Sequence, residues 1–172
     1  LAGVTDIDGP TLSITSVSVA SGGGSIVNNG NGTWTYTPAA NYSGPVSFSY
    51  TASDGSLSSI STASLVISPV NDAPTATNLS TAETYTQDTP LNLVDIVVSD
   101  VDSATVTATL TLSNPAAGSL NTATSGAVTS TYNAATGVWT ASGAIADVNA
   151  LLAGLTLTPA ANFNGSFSIA TS

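Results

Sequence analysis

The chain has 172 residues, of which ten are acidic and none is Lys, Arg or His, so its formal net charge at pH 7 is −10. Without basic side chains it has no patch for nucleic acid or for an anionic membrane surface, and neither is expected as a partner. The absence of Cys and His also excludes disulfides, thiol nucleophiles and the usual zinc ligands. Because 42% of the residues are apolar, a packed core is expected rather than disorder.

Alternating polar and apolar residues are the main pattern along the chain. The alternation occurs, in chain order, at 33–37, 46–50 and 106–112, and more weakly at 65–67. A period of two places one face of a strand on a core and the other in water. Gly-, Asn- and Asp-rich turn signals separate these segments at 8–10, 22–24, 28–32, 54–55 and 135–137. The pattern predicts an all-β protein built from immunoglobulin-like antiparallel β-sandwiches.

One segment near the carboxyl end has a different period. Apolar residues at 148, 151, 152 and 155 follow helical spacing, with Asp147 as a possible cap at the start and Gly154 at the end. We therefore expect one short helix within 146–155, as a connector between strands. It contains no run of apolar residues long enough to insert into a membrane, and neither does the rest of the chain.

An internal repeat divides the chain. Residues 37–44, Thr-Pro-Ala-Ala-Asn-Tyr-Ser-Gly, recur at 158–165 as Thr-Pro-Ala-Ala-Asn-Phe-Asn-Gly. An Asp-x-Asp motif at 6–8 recurs at 100–102. Repeated motifs at a long period are typical of tandem domains. Both Thr-Pro motifs precede an alternating segment with a Phe, at Phe48 in the first copy and Phe167 in the second, where we expect equivalent strands.

The repeat predicts two β-sandwich domains, 1–70 and 71–172. The two motifs are farther apart in the second copy, which predicts a long insertion near 113–145. The first domain has few residues before its Asp-x-Asp, and the second has few after its Thr-Pro motif. We therefore expect domain one to lack its first strand or strands and domain two its last, with the exposed edges completed by adjoining segments or by another molecule. Since the chain begins at Leu1, we expect it to be a segment of a longer protein.

Several motifs together resemble a known family. Besides the Asp-x-Asp pairs, the chain has Ala-Ser-Asp-Gly at 52–55, Val-Asn-Asp-Ala-Pro at 70–74 and Thr-Gln-Asp-Thr-Pro-Leu at 86–91. This combination resembles the tandem cadherin-like repeats of large secreted bacterial adhesins, over nearly the whole chain. The resemblance implies immunoglobulin-like sandwiches in a row, outside the bacterial cell or at its surface, with calcium bound at the domain junctions.

Carried over residue by residue, the resemblance implies two calcium sites. The first site, at the amino-terminal end of domain one, would use Asp6, Asp8 and Asp54. The second site, between the domains, would use Asn71, Asp72, Asp100 and Asp102. Carboxylate and amide oxygens are the ligands that calcium prefers, and the chain has no basic side chain to neutralise these acids. The alternative is that they are solvated acids of turns.

Two departures from the family pattern affect the second site. Pro69 stands where the junction motif usually has an Asp, and Gln87 replaces the Glu that usually opens a repeat. We therefore expect one ion at a junction, bound with modest affinity.

The motifs favour a non-catalytic role. The main hypothesis is a stalk or spacer of a giant bacterial surface protein, stiffened by calcium and contacting neighbouring repeats. A first alternative is a subunit of an extracellular filament or matrix assembled by edge-strand complementation. A second alternative is a carbohydrate-binding module, with Trp34 and Tyr36 as a sugar-stacking platform, although their spacing favours a core position. We do not expect an enzyme, because the repeat accounts for the paired carboxylates that a glycosidase would need.

Overall fold

The computed structural model describes residues 12–172, and the chain divides into two compact units, Leu1–Val70 and Asn71–Ser172, called unit 1 and unit 2 below. Antiparallel strands dominate both units, with one α-helix in the described part of the chain. The all-β prediction is therefore confirmed. Asp6 and Asp8 lie outside the described residues.

Unit 1 is a three-stranded sheet with a separate hairpin. Within residues 12–70 its strands are β1 (Ser13–Ser21), β2 (Gly24–Asn28), β3 (Trp34–Pro38), β4 (Gly44–Ser53) and β5 (Ser58–Ile67). The sheet has the order β1-β4-β5, and β2 pairs with β3. All pairings are antiparallel, and short turns join the β2–β3 and β4–β5 pairs.

The core of unit 1 lies on one face of the central strand β4. Val46, Phe48 and Ala52 alternate along β4 and are buried. The half-buried ring of Tyr36 on β3 meets Phe48 edge to face, with ring centroids 5.1 Å apart. Alternation thus predicts which face of β4 is buried. In contrast, every residue of β5 except the half-buried Ile67 is exposed.

Unit 2 is larger and contains the helix. Its strands and α-helix are β6 (Thr75–Ala76), β7 (Leu91–Asn92), β8 (Val98–Ser99), β9 (Thr105–Leu112), β10 (Gly118–Leu120), β11 (Thr124–Ser125), β12 (Val128–Thr129), β13 (Thr131–Asn133), β14 (Val138–Ala144), α1 (Ile145–Ala153), β15 (Thr156–Pro159) and β16 (Ile169–Thr171). A short 3₁₀ helix, Pro115–Ala117, lies between β9 and β10. The largest sheet has the order β13-β14-β9-β16, and a second sheet has the order β10-β15-β7. Unit 2 also has two separate two-stranded sheets, β6 with β8 and β11 with β12.

The core of unit 2 is continuous and is centred on Trp139 of β14. The indole is fully buried, and its Nε1–H donates to the carbonyl of Asn121 at 3.0 Å, so the polar atom of this large side chain is satisfied. Leu110 and Leu112 of β9 and Leu157 of β15 pack in the same cluster. This core is formed by strands of both sheets together with the apolar face of α1.

The predicted helix is confirmed, but its start differs from the expectation. Its apolar residues Val148, Leu151 and Leu152 are buried, and Gly154 is the C-cap. The N-cap is Ala144, which makes no side-chain capping bond, so the prediction that Asp147 caps the helix is wrong. The reason is that α1 follows β14 without a loop, which leaves Asp147 inside the first turn. There its Oδ1 accepts from the Ser125 hydroxyl at 3.2 Å.

The repeated Thr-Pro motif folds in the same way in both units. β3 ends at Pro38 and β15 at Pro159. Asn41 and Asn162, three residues later in each copy, have left-handed backbones with φ of 59° and 60°. Asn is among the residues that tolerate this conformation best, which explains its place in both copies.

The segments after the motif differ between the copies. β4 is ten residues long, but β16 has only three residues and begins at Ile169, so the expectation that Phe167 lies in a strand is wrong. Near Phe167 the backbone N–H of Ser168 donates to the side-chain oxygen of Ser113 at 2.9 Å instead of to a strand carbonyl. The stretch expected as an insertion, 113–145, contains β10 to β14.

Candidate functional site

The second predicted metal site is one connected loop region at the start of unit 2. The backbone N–H of Asp72 donates to Oδ2 of Asp102 at 2.8 Å. The antiparallel pairing of β6 with β8 explains this contact, because Thr75 lies opposite Ser99. Asp72 therefore precedes one strand of the pair by a few residues, and Asp102 follows the other by a few residues.

Asp100 organises the Asp-x-Asp loop. Its Oδ1 accepts from the backbone N–H of Ser103 at 2.8 Å and from that of Asp102 at 3.1 Å. These N–H groups, Ser103 first, lower the pKa of the Asp100 carboxyl below its ordinary value, because they stabilise its ionised form. The Ser103 hydroxyl also donates to Oδ1 of Asp102 at 3.3 Å. Both carboxylates are thus held by the loop that carries them.

Asn149 of α1 anchors the strand that leads into this loop. Its Oδ1 accepts from the backbone N–H of Val98 at 2.8 Å, and its Nδ2 donates to the carbonyl of the same residue at 2.9 Å. Val98 is buried and lies two residues before Asp100. The sequence did not indicate this role, since Asn149 is one polar residue among several on a short helix.

The residues of this region supply oxygens of the kind that calcium binds. They are the carboxylates of Asp72, Asp100 and Asp102 and the side-chain amide of Asn71, whose Nδ2 donates to the carbonyl of Asp72 at 2.9 Å. In the described residues, however, no three His, Cys, Asp or Glu side chains converge into a metal-binding group. The donor chemistry of these residues fits calcium.

The described member of the first predicted site is Asp54, in the turn between β4 and β5. Its Oδ1 accepts from the backbone N–H of Leu57 at 2.6 Å and of Ser56 at 2.7 Å. These two bonds, that from Leu57 first, lower the pKa of the Asp54 carboxyl below its ordinary value. Asp54 closes the β4–β5 turn whether or not it also binds a metal. Asp6 and Asp8 lie outside the described residues, so the structure places one of the three.

An aromatic cluster of unit 2 was not expected from the sequence. Tyr85 stacks on Phe163 with ring centroids 6.3 Å apart and also contacts Phe167 at 6.0 Å. The Tyr85 hydroxyl donates to the carbonyl of Gly165 at 2.7 Å. The three rings line an open cleft of about 710 Å³. The contact joins residues about 80 positions apart, which a local pattern does not indicate.

One family comparison gives a match. The model of a family described as a cadherin-like domain matches residues 1–68, which include all the described strands of unit 1. No curated protein and no solved structure matches the chain. Domains of this family are structural and adhesive rather than catalytic, and they are typically extracellular. Between residues 12 and 172 no helix combines the length and apolar character needed to cross a membrane.

Proposed function

We propose, from the premise that residues 1–68 are a cadherin-like domain, that this chain is a stalk or spacer segment of a large bacterial surface protein. A spacer needs units that repeat along the chain and hold their shape. The shared turn at Asn41 and Asn162 supports a repeat of the same structural unit. The well-packed core around Trp139 supports a unit that keeps its shape under load.

Calcium is the proposed stiffening ion, bound by Asn71, Asp72, Asp100 and Asp102. The observation that carries this proposal is the hydrogen bond from the Asp72 N–H to Asp102, which already ties the linker to the Asp-x-Asp loop. A bound divalent cation would neutralise carboxylates that have no basic partner in this chain. It would also restrict the backbone of residues 71–72, where the linker enters unit 2.

The direct test is thermal and chemical unfolding of the chain with calcium, with magnesium and with chelator. An ion that binds the native state alone stabilises it by about 2.7 kcal/mol at a hundredfold excess over its dissociation constant. We expect such stabilisation with calcium, and little with magnesium, which accepts irregular oxygen sites less readily. An unchanged midpoint at about 10 mM calcium, above the weakest extracellular sites of ~10⁻³ M, would overturn the proposal.

Two matched variants locate the binding site. Asp102→Asn keeps an oxygen that can accept from the Asp72 N–H but removes the charge, and we expect it to abolish the calcium effect. Asp95→Asn removes one charge at another exposed loop position of unit 2 and should leave the effect intact. Equal loss in both variants would mean that calcium screens the total charge and occupies no site.

Stiffening is tested separately from binding. Because the chain has no Cys, Ser56→Cys and Ala135→Cys place one dye in an exposed turn of each unit. Single-molecule energy transfer should show a narrower distribution of distances in calcium than in chelator. An unchanged width together with measurable binding would refute the stiffening role and leave the binding site in place.

A further inference from the structure

Strand β5 lies at one edge of the β1-β4-β5 sheet of unit 1. It pairs with β4 through ten consecutive residue pairs, from Gly44 opposite Ile67 to Ser53 opposite Ser58, without a register shift. Among the described residues no strand pairs with its other edge. The outward N–H and C=O groups of such an edge are a template for another strand.

The usual protections of an edge strand are absent from β5 and present on the opposite edge of the same sheet. Proteins protect edges with charged side chains, Pro or β-bulges. The sequence of β5, Ser-Ser-Ile-Ser-Thr-Ala-Ser-Leu-Val-Ile, has no charge, no Pro and no Gly. By contrast, β1 has register shifts between Ile14 and Ser16 and between Val19 and Ser21, which interrupt regular pairing.

Apolar side chains on both faces of β5 are exposed. Ile60 and Val66, on one face, are 74% and 73% exposed, and Leu65, on the other, is 37% exposed. Such residues gain stability from any partner strand that covers their flanks. Hydrogen-bonding capacity and apolar surface therefore coincide on this strand.

The distribution of charge along the chain favours a second copy of β5 as the partner strand. The chain carries −10 without a single cation, so most approaches between two copies bring acidic loops together. No acid occurs between Asp54 and Asp72, the segment that contains β5. A second β5 is a neutral strand of the same length and pattern, and antiparallel pairing of two identical strands is closed by a two-fold axis.

We propose that two copies of this chain associate by antiparallel pairing of their β5 strands, which makes a six-stranded sheet in the order β1-β4-β5-β5′-β4′-β1′. The contact is one strand edge with its flanking side chains, smaller than the ~800 Å² per partner of standard interfaces. We therefore expect weak association, with a dissociation constant of about 10⁻⁶ to 10⁻³ M, which corresponds to roughly 8 to 4 kcal/mol of binding free energy. The pairing goes beyond the spacer function and does not depend on calcium.

The test is sedimentation of the full chain over a wide concentration range at constant ionic strength, in chelator. Thr62, exposed near the middle of β5, is the position to change. Thr62→Lys and Thr62→Glu each place like charges across the two-fold axis, and each should weaken association by about tenfold or more. Ser18→Lys is the matched control, since Ser18 and Thr62 both lie opposite Ser49, on the two edges of the sheet.

Mixing the two Thr62 variants separates charge repulsion from misfolding. Lys on one β5 and Glu on the other attract, so the mixture should regain association that neither variant shows alone. A chain that stays monomeric up to about 10⁻³ M, the upper end of the expected range of dissociation constants, would overturn the proposal. So would equal weakening by Ser18→Lys, no recovery on mixing, or an open-ended series of oligomers, which indicates contacts between unlike edges.

Discussion

Replacing Asn149 by Leu should destabilise unit 2 because it leaves the backbone of Val98 without partners. The side chain of Asn149 makes two hydrogen bonds to that residue, at 2.8 and 2.9 Å, and Val98 is 8% exposed. Each backbone group left unsatisfied in such a place costs about 1–3 kcal/mol. Since both groups are partly buried rather than fully buried, we expect a total loss of about 2–4 kcal/mol in the free energy of unfolding.

The assay is urea unfolding followed by tryptophan fluorescence. The chain has two Trp residues, Trp34 in unit 1 and the fully buried Trp139 in unit 2. A Trp34→Phe background therefore makes the signal report unit 2 alone. In the same variant, the amide hydrogen of Val98 should exchange faster with solvent, because it loses its acceptor.

Ala150→Leu is the matched control for this prediction. Ala150 is the next residue of α1 and is exposed, so the same introduced side chain should change the free energy of unfolding by less than about 0.5 kcal/mol. The reasoning is refuted if Asn149→Leu also stays within that margin, or if Ala150→Leu costs as much. Either result would mean that the hydrogen bonds to Val98 do not hold β8 in place.

Two further predictions concern a glycine and the acids of the turns. Gly24→Ala should destabilise unit 1 by about 3 kcal/mol or more, because Gly24 has φ of +128° and a Cβ there would collide with the carbonyl of Thr37. Gly30→Ala is the control: Gly30 has φ of +78° with open space around it, so this change should cost about 1 kcal/mol. Urea unfolding followed by Trp34 fluorescence measures both losses. The carboxyls of Asp54 and Asp100 have pKa values below the ordinary 3.8, so the stability they contribute is complete above that pH and is lost as the pH falls through the lower native-state values. Carbon-detected NMR titration should place both midpoints below 3.8, and a midpoint at or above it would contradict the hydrogen-bonding argument.

Local patterns were sufficient for part of the secondary structure. Alternation predicted β3, β4 and β9, and it did so because each of these strands has one face on a core. Helical spacing predicted α1 for the same reason. The repeated Thr-Pro motif folds in the same way in both units because each copy has an Asn at the left-handed position, which is a local requirement.

Features that depend on distant residues were beyond these patterns. The hydrogen bonds of Asn149 to Val98 join a helix to a strand 51 positions earlier, and nothing in the sequence of the helix indicates this role of the Asn. Phe167 alternates like Phe48, yet the ring packs against Tyr85 and Phe163 and its segment does not extend into a strand. The exposure of β5 was also not visible, because its apolar residues at 60 and 65–67 are typical of a strand with a buried face.

The candidate calcium residues show the same difference between features set by local sequence and features set by distant residues. The sequence motif brought Asp100 and Asp102 together, since they are two positions apart in one loop. It also paired them with Asp72 through the family resemblance, and the hydrogen bond between Asp72 and Asp102 has a structural cause, the pairing of β6 with β8. Calcium itself stays a prediction, because hydrogen bonds among these residues stabilise the loop with or without an ion.

The distribution of charge connects the two proposals. Of the eight acids in the described residues, none lies in a strand: seven are in loops and turns, and Asp147 is in α1. In a chain without cations, this arrangement leaves every described strand edge neutral while the loops repel one another. Repulsion between loops then opposes disordered association, and a contact through the neutral edge of β5 avoids most of it. Salt that screens the loop acids would lower the remaining repulsion between two copies without taking part in the pairing of the strands.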